Sequence, residues 1–168
     1  AYDNDVVFLA SAGNEGDNGV AFPARMDEVI AVAASTQWGT IAGFSSKGPE
    51  VDIAAPGAGV PTTDLAGEYD LSFGGTSAAC PEAAGVVALA LDENPDLTPD
   101  EICQALKETA VDLGEPGDAQ GAGQVDAEAV LAAVKPELSV AASGDSLSPG
   151  GSAALSITEA TRVEELTI

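Results

Sequence analysis

Residues 74 to 85 read Gly74-Gly75-Thr76-Ser77-Ala78-Ala79-Cys80-Pro81-Glu82-Ala83-Ala84-Gly85. The two glycines predict a turn, and the apolar residues after them predict a helix with Ser77 in its first turn. Because the first turn of a helix has unpaired backbone NH groups and a partial positive charge, an oxyanion formed at Ser77 would meet preorganised donors. Ser77 is therefore a candidate nucleophile, and the alternative is a serine that only caps the helix.

Two other segments are apolar strands that stop in a turn. Residues 6–16 end in Gly13-Asn14-Glu15-Gly16, and residues 53–57 are broken by Pro56-Gly57. Active sites of parallel α/β sheets collect at strand ends, so Asn14 is a candidate site residue. The alternative is a turn residue without a function, since asparagine tolerates unusual backbone angles.

In this order and at this spacing, the motifs resemble those of the subtilisin-like serine proteases, the subtilases. They are Ser-Ala-Gly-Asn-Glu-Gly at 11–16, Phe-Pro-Ala at 22–24, Val-Ile-Ala-Val at 29–32, Phe-Ser-Ser at 44–46, Ala-Ala-Pro-Gly at 54–57, Gly-Thr-Ser-Ala-Ala-Cys-Pro at 75–81 and Gly-Ala-Gly-Gln-Val-Asp-Ala at 121–127. The resemblance implies a partial α/β fold of three layers around a parallel sheet, followed by the start of a β-rich domain.

The resemblance also implies roles for individual residues. Ser77 is the implied nucleophile of an endopeptidase that hydrolyses peptide bonds through an acyl-enzyme. The Asn14 amide, with the Ser77 backbone NH, donates to the oxyanion, and in this family loss of such an amide lowers turnover by about 10² to 10³. Ser11, Ala12 and Gly13 line one wall of the pocket for the residue before the scissile bond. Structural calcium is implied as well, but no Asp-x-Asp-x-Asp loop occurs, so no ligands are named.

The chain contains no histidine, although a serine nucleophile of this kind needs an imidazole to take its proton. In subtilases the triad aspartate and histidine precede the oxyanion asparagine. We therefore expect residues 1–134 to be the C-terminal portion of a catalytic domain and to be inactive alone. The alternative is a catalytically inactive subtilase fold that serves as an acidic binding module. Another serine hydrolase is disfavoured because the segment 75–79 lacks the second glycine of the esterase elbow.

Two features bear on the branch of the family and on the tail. Ala78 and Glu82 stand where many subtilases have Met and His, and this combination looks more like the kexin and proprotein-convertase branch, which carries a β-rich P domain. Segments 153–158 and 163–168 read as strands. We predict that residues 137–168 begin an incomplete β-sandwich, a P domain or a comparable module, and the alternative is a linker or disordered tail.

The charge balance is extreme, with 28 acidic and 5 basic residues and a net charge of −23. Nucleic acid binding is disfavoured because phosphates need cations. Salt would screen the self-repulsion, so we predict that salt stabilises the protein and that its source is salty or calcium-rich; the alternative is an ordinary acidic secreted enzyme. No run of eighteen apolar residues occurs, which excludes a membrane span. We expect a secreted monomer that acts on polypeptides.

Local patterns predict the remaining elements. The apolar runs 6–12 and 29–34 predict strands buried on both faces of a parallel sheet, and the run 83–91 predicts a helix enclosed by the core. Residues 98–101 read as a capping box that opens a second helix. Cys80 and Cys103 lie near the starts of these two helices, of order 15 Å apart if the helices are antiparallel, which favours free thiols over a disulfide.

Substrate preference follows from the resemblance only in part. Convertases that cut after paired basic residues use acidic residues around the pocket, and Glu15 could sit at its rim. Residues 20–22, Val-Ala-Phe, would form an apolar floor. We therefore predict broad specificity for large apolar or mixed residues over strict dibasic cleavage.

Overall fold

The order of elements along the chain is that of an α/β protein with an antiparallel β segment at its end. The computed structural model describes residues 2–65 and 67–136, and beyond them the backbone of three strands at 139–143, 154–159 and 162–167. The strands and α-helices are β1 (Leu9–Ser11), β2 (Ile30–Ser35), β3 (Ile53–Pro56), β4 (Ala58–Thr63), β5 (Tyr69–Gly74), α1 (Thr76–Glu93), α2 (Pro99–Thr109), α3 (Gly117–Gln120), α4 (Ala127–Ala133), β6 (Ser139–Ser143), β7 (Ala154–Glu159) and β8 (Arg162–Thr167).

The predicted parallel sheet is formed by β1, β2 and β3, in that order. All six residues of β2 are buried, as expected of a central parallel strand covered on both faces. β1 is shorter than the predicted run, because its pairing with β2 begins only at Leu9 opposite Ile30. Since the strands are parallel, their carboxyl ends meet at one edge of the sheet, and the chain leaves that edge towards Asn14 from β1 and towards Gly57 from β3.

The two faces of the sheet belong to two separate groups of buried side chains. Alternate residues of β2 point to opposite faces. Ile30, Val32 and Ala34 pack with residues of α1, α2 and α4. Ala31 and Ala33 pack on the other face with residues from the loops that follow β1 and precede β3. The alanines keep both layers close to the sheet, which holds the N-terminus of α1 against the strand ends.

α1 is buried on one face only, although its sequence predicted a helix enclosed by the core. Its buried residues are Thr76, Ala78, Ala79, Ala83, Val87 and Ala90, and Pro81 lies inside the helix. Leu89 is 52% exposed, and Gly85 is exposed too. The expectation of a helix enclosed all round is therefore wrong for the described residues. An apolar sequence allows burial on every side, but the sheet covers only the face that points to it.

α2 begins at the capping box predicted from its sequence. The Thr98 hydroxyl accepts a hydrogen bond from the Glu101 NH (3.3 Å), and the Glu101 carboxylate accepts one from the Thr98 NH (2.9 Å). Both cysteines are free thiols, as predicted. Both are partly buried rather than fully buried, and they pack at the margin of the core on the α1 side of the sheet.

The last described part of the chain is an antiparallel sheet in the order β6, β7, β8. β7 and β8 coincide with the two predicted strands to within one residue at each end, whereas β6 was not predicted from the sequence. The antiparallel pairing agrees with the β-rich segment expected to follow the α/β part. Within the described residues, no helix is both long and apolar enough to cross a membrane.

Candidate active site

Ser77 is positioned by a close contact between Gly57, which follows β3, and Gly75, which precedes α1. The Gly75 NH donates a hydrogen bond to the Gly57 carbonyl at 2.7 Å. A Cβ on Gly57 would lie 2.6 Å from the Cβ of Ala34 in β2 and 3.0 Å from the Cβ of Ala79 in α1. Glycine therefore allows the strand end to pass between sheet and helix, and this contact fixes the height of the helix above the strand ends.

The residue that precedes α1 sets the direction of its first turn. Gly75 has φ 118°, in the left-handed region that side chains rarely adopt. After this turn Thr76 is completely buried, whereas Ser77 is exposed. The helix therefore anchors itself through Thr76 and presents the Ser77 side chain to the outside at its positively polarised end.

The Asn14 side chain is bound to the start of α1. Its Oδ1 accepts hydrogen bonds from the Thr76 NH at 2.9 Å and from the Thr76 hydroxyl at 3.0 Å. The Thr76 hydroxyl in turn accepts one from the Gly13 NH at 3.1 Å. Because a backbone NH can only donate, the atom of Asn14 that faces it must be the oxygen. The Nδ2 group is therefore turned to the other side, where no described protein atom accepts its hydrogens.

The Asn14 amide and the Ser77 backbone NH lie beside the same small space. An ideal Cβ on Gly75 would be 3.4 Å from Asn14 Nδ2, 3.6 Å from Asn14 Oδ1 and 3.7 Å from the Ser77 nitrogen. Glycine leaves this position without a side chain, whereas a Cβ would contact both nitrogens. The structure thus brings together Ser77 and Asn14, the two residues that the sequence predicted as a catalytic pair.

The predicted wall of the specificity pocket leads from β1 to Asn14. Ser11 and Gly13 are partly exposed, but the Ala12 side chain is completely buried in the core. Gly13 has φ 108°, and a Cβ there would lie 2.9 Å from the Ser46 hydroxyl oxygen. This part of the wall therefore consists largely of backbone. Glu15, which was predicted to lie at the rim of this pocket, is exposed.

The predicted floor of the pocket divides into a buried and an exposed part. Val20 is buried, whereas Phe22 is 69% exposed and precedes a cis proline. The Ala21 NH donates a hydrogen bond to the Ala12 carbonyl at 2.7 Å, which holds the floor segment against the wall.

Cys80 lies three residues after Ser77 but lacks the environment of a nucleophile. Burial raises the pKa of its thiol above the ordinary value, so less thiolate is present near neutral pH. The position and the protonation state of Cys80 both leave Ser77 as the candidate nucleophile of α1.

Two cavities lie at the outer edge of β1, away from Asn14 and Ser77. Their volumes are about 340 Å³ and 570 Å³, and Tyr2, Phe8 and Val29 line both.

Among the described residues, no group of three or more acidic, cysteine or histidine side chains is arranged to hold a metal ion. These residues therefore provide no ligand set that fits the calcium implied by the resemblance.

Two residues that contact residues 13–16, the Asn14 loop, were given no site role in the sequence analysis. Thr76 holds the Asn14 side chain, and Ser46 bonds to the residues on either side of Asn14. Both belong to motifs that carried the resemblance, Gly-Thr-Ser and Phe-Ser-Ser. The signal was therefore present, but nothing in the local pattern indicated which hydrogen bonds these hydroxyls make.

The fold is a partial subtilisin-like α/β fold, as solved structures show. The chain matches a protease from Pseudoalteromonas arctica with a TM-score of 0.73 and 35% identity, over 80% of this chain and 44% of that one. It matches a lanthipeptide protease with a TM-score of 0.70 and 27% identity, over 80% of this chain and 53% of that one.

Sequence relatives agree with this fold. Residues 1–125 match the Subtilase family, and the chain belongs to that family. It is 45% identical over 122 residues to the halolysin-like extracellular serine protease Nep of Natrialba magadii, covering 73% of this chain and 22% of Nep. It is 42% identical over 120 residues to halolysin of Haloferax mediterranei, covering 71% of this chain and 23% of halolysin. The chain thus spans about a quarter of the length of these curated relatives.

Proposed function

We propose that this chain supplies the nucleophile and the oxyanion-binding groups of a serine endopeptidase. The observation that carries the proposal is the proximity of two donor nitrogens, Asn14 Nδ2 and Ser77 N, to the same position beside Gly75. Family membership supports a peptidase, and the geometry supports these residues as its reactive part. The remaining triad members, an aspartate and a histidine, would belong to a part of the protein outside this chain.

The proposed reaction begins when Ser77 Oγ attacks the carbonyl carbon of a peptide bond. A new C–O bond forms while the carbonyl π electrons move to oxygen, and the hydroxyl proton passes to the base outside this chain. The oxyanion then accepts hydrogen bonds from Asn14 Nδ2 and the Ser77 NH, at the positive end of α1. Collapse of the intermediate breaks the C–N bond, the amine leaves with the proton, and water later hydrolyses the ester on Ser77.

The preorganisation of these donors explains why the site would favour the transition state. Asn14 Oδ1 is already held by two hydrogen bonds from Thr76, so little reorganisation is needed when charge develops. The ground-state carbonyl carries less charge and gains less from the same donors. The expected signature of Asn14 is therefore an effect on kcat.

We propose polypeptides as substrates, with Ser11, Ala12 and Gly13 as one wall of the pocket for the residue before the scissile bond. Since Ala12 is buried, this wall would contact substrate through backbone and through Ser11. Glu15 is exposed, and the proposed floor offers the apolar Phe22, which is exposed too; together they support broad specificity for large apolar or mixed residues rather than strict cleavage after paired basic residues. Cleavage of a peptide library by the full-length protein tests this, and exclusive cleavage after Lys-Arg would contradict it.

The branch of the family, the secretion of the protein and its domain boundaries are also part of this proposal. The named sequence relatives are halolysin and a halolysin-like protease, and they give no support to the kexin and proprotein-convertase branch predicted from Ala78 and Glu82. We propose secretion, because Nep is described as extracellular. A catalytic portion at 1–134, a β-sandwich module that begins at 137, a monomeric state and structural calcium stay predictions.

Labelling by a fluorophosphonate probe tests the nucleophile. We expect the full-length protein to be labelled and Ser77→Ala to lose the label. Ser72→Ala is the matched control, because Ser72 is also an exposed serine, and its hydroxyl donates a hydrogen bond to Asp70. This control should be labelled like the parent. The isolated 168-residue chain should not react, since it contains no histidine.

The alternative function, an inactive acidic binding module, predicts a different result. The full-length protein would then fail to react with the probe even though it is folded, and its sequence outside this chain would lack the triad histidine. Labelling that persists in Ser77→Ala would contradict the proposed nucleophile.

A further inference from the structure

Asn14 is flanked by two residues that are both held by Ser46. The Ser46 NH donates a hydrogen bond to the Gly13 carbonyl at 2.9 Å, and the Glu15 NH donates one to the Ser46 hydroxyl at 3.1 Å. The peptide groups before and after Asn14 are thus tied to one residue. The backbone position from which the Asn14 side chain projects is therefore set by Ser46.

This attachment is built into the core rather than laid on the surface. Ser46 is completely buried. The close approach depends on Gly13, because a Cβ there would lie 2.9 Å from Ser46 Oγ. A buried hydroxyl in a close-packed site has little freedom to move, so it can hold the Asn14 loop in one conformation.

Hydrogen bonds on either side of Ser46 extend the attachment. The Gly16 NH donates to the Phe44 carbonyl at 3.0 Å, and the Lys47 NH donates to the Gly16 carbonyl at 3.0 Å. The segments 13–16 and 44–47 are therefore paired along their length. Within this pairing, Ser46 supplies the side-chain hydrogen bond next to Asn14.

We propose that Ser46 is a positioning residue for the oxyanion amide of Asn14. The proposal rests on the proposed function, because it assigns Ser46 a role that acts only through Asn14. Thr76 holds the amide at the end of the Asn14 side chain, and Ser46 holds the backbone from which that side chain projects. Loss of the Ser46 hydroxyl leaves the Glu15 NH without its partner and lets the loop shift, which moves Nδ2 away from the developing charge.

Such a shift affects turnover more than substrate binding. Donors of an oxyanion hole act on charge that is present mainly in the transition state. Small misplacements of catalytic groups have large effects on rate. Ser46 touches no reacting atom, so its effect should disappear once Asn14 itself is removed.

The neighbouring residue provides a matched control. Ser45 is also completely buried, and its hydroxyl also accepts a hydrogen bond from a backbone NH, that of Ala34 at 3.0 Å. This bond holds β2 rather than the Asn14 loop. Ser45→Ala and Ser46→Ala therefore remove the same chemical group from the same kind of environment, and only Ser46→Ala acts next to Asn14.

The experiment measures kcat and KM of the full-length protein on a soluble peptide anilide, referred to active sites titrated with a fluorophosphonate. We expect Ser46→Ala to lower kcat by about tenfold with little change in KM, less than the effect of Asn14→Ala. Ser45→Ala should lower the thermal midpoint without lowering kcat. In the Asn14→Ala background, Ser46→Ala should cause no further loss of kcat.

Two outcomes separate the failure of this inference from the failure of the proposed function. If Asn14→Ala lowers kcat but Ser46→Ala behaves like Ser45→Ala, Ser46 is structural only and the inference is wrong. If Asn14→Ala leaves kcat unchanged, the proposed function itself is wrong. If Ser46→Ala fails to fold, Ser46→Cys replaces it. Because sulfur is a weak acceptor, we expect Ser46→Cys to lower kcat by less than the tenfold expected for Ser46→Ala. An unchanged kcat in Ser46→Cys would contradict the positioning role.

Discussion

The backbone nitrogen of Thr76 lies 2.9 Å from Oδ1 of Asn14, although 62 positions separate the two residues. One residue follows the first strand of the parallel sheet and the other begins the helix that packs across it. The contact joins the two halves of the candidate site and leaves the Asn14 Nδ2 group free to donate.

Thr76→Val removes the hydroxyl that links Asn14 and Gly13 but keeps the shape of the side chain and the Thr76 NH. We expect kcat of the full-length protein to fall about tenfold, equivalent to about 1.4 kcal/mol of transition-state stabilisation. KM should change little, because the hydroxyl acts through the Asn14 donor. Steady-state kinetics on a peptide anilide measure both constants.

The control for this substitution is Thr76→Ser, which keeps the hydroxyl and loses only a methyl group. It should retain most of the parent kcat. Equal kcat values for Thr76→Val and the parent would show that the Thr76 NH alone suffices to orient Asn14.

Asp52 links the sheet to α2 through two interactions. One carboxylate oxygen accepts a hydrogen bond from the Ala31 NH at 2.7 Å, and the other lies 2.6 Å from Lys107 Nζ. The Lys107 side chain is 40% exposed, so the ion pair contributes little compared with the bond to the buried NH. We expect Asp52→Ala to lower the free energy of unfolding by about 2 kcal/mol and Lys107→Met by about 0.5 kcal/mol.

Urea unfolding of the full-length protein measures these differences. Asp17→Ala is the control, because Asp17 also pairs with a lysine, Lys47 at 2.9 Å, but is 88% exposed. Its loss should leave stability nearly unchanged. A larger effect for Lys107→Met than for Asp52→Ala would contradict the dominance of the Ala31 hydrogen bond.

Glu101 gives the fold an acid-sensitive contact at the start of α2. Hydrogen bonds from the Thr98 backbone NH and then from the Thr98 hydroxyl lower the pKa of Glu101 below its ordinary value of 4.5. Since the folded pKa is the lower one, the stabilisation is present above pH 4.5 and is lost as the pH falls through the folded pKa. The stability difference between the parent and Glu101→Gln should therefore be constant near neutral pH and shrink in acid.

Denaturant unfolding from pH 7 down to the acid limit of folding measures this difference. Thr98→Ala removes one of the two donors and should weaken the pH dependence. A difference between parent and Glu101→Gln that does not change with pH would contradict the role of the ionised carboxylate.

Salt should stabilise the protein through screening of its net charge of −23. The screening length falls from about 10 Å at 0.1 M to about 3 Å at 1 M, which weakens repulsion between surface acids. We expect the thermal midpoint to rise between low and molar NaCl. A chelator in all samples excludes an effect of divalent cations, and equal midpoints would contradict the prediction.

Local patterns were sufficient to predict several elements. The apolar run of β2 and the capping box of α2 depend on residues close in sequence, so their signals are visible in the chain itself. The pattern was misleading where burial depends on neighbours: α1 reads as apolar all round, yet Leu89 is 52% exposed. Nothing in the run shows how many of its sides another element will cover.

The sequence by itself determined which residues could act, because a serine after a glycine turn and an asparagine at a strand end can be read from local chemistry. Only the tertiary structure decided how they meet. The partners of Asn14 and Glu15 lie 62 and 31 positions away, on Thr76 and Ser46. Parallel pairing gathers the strand ends at one edge of the sheet, and that long-range geometry brings the Asn14 amide close to the Ser77 nitrogen beside Gly75.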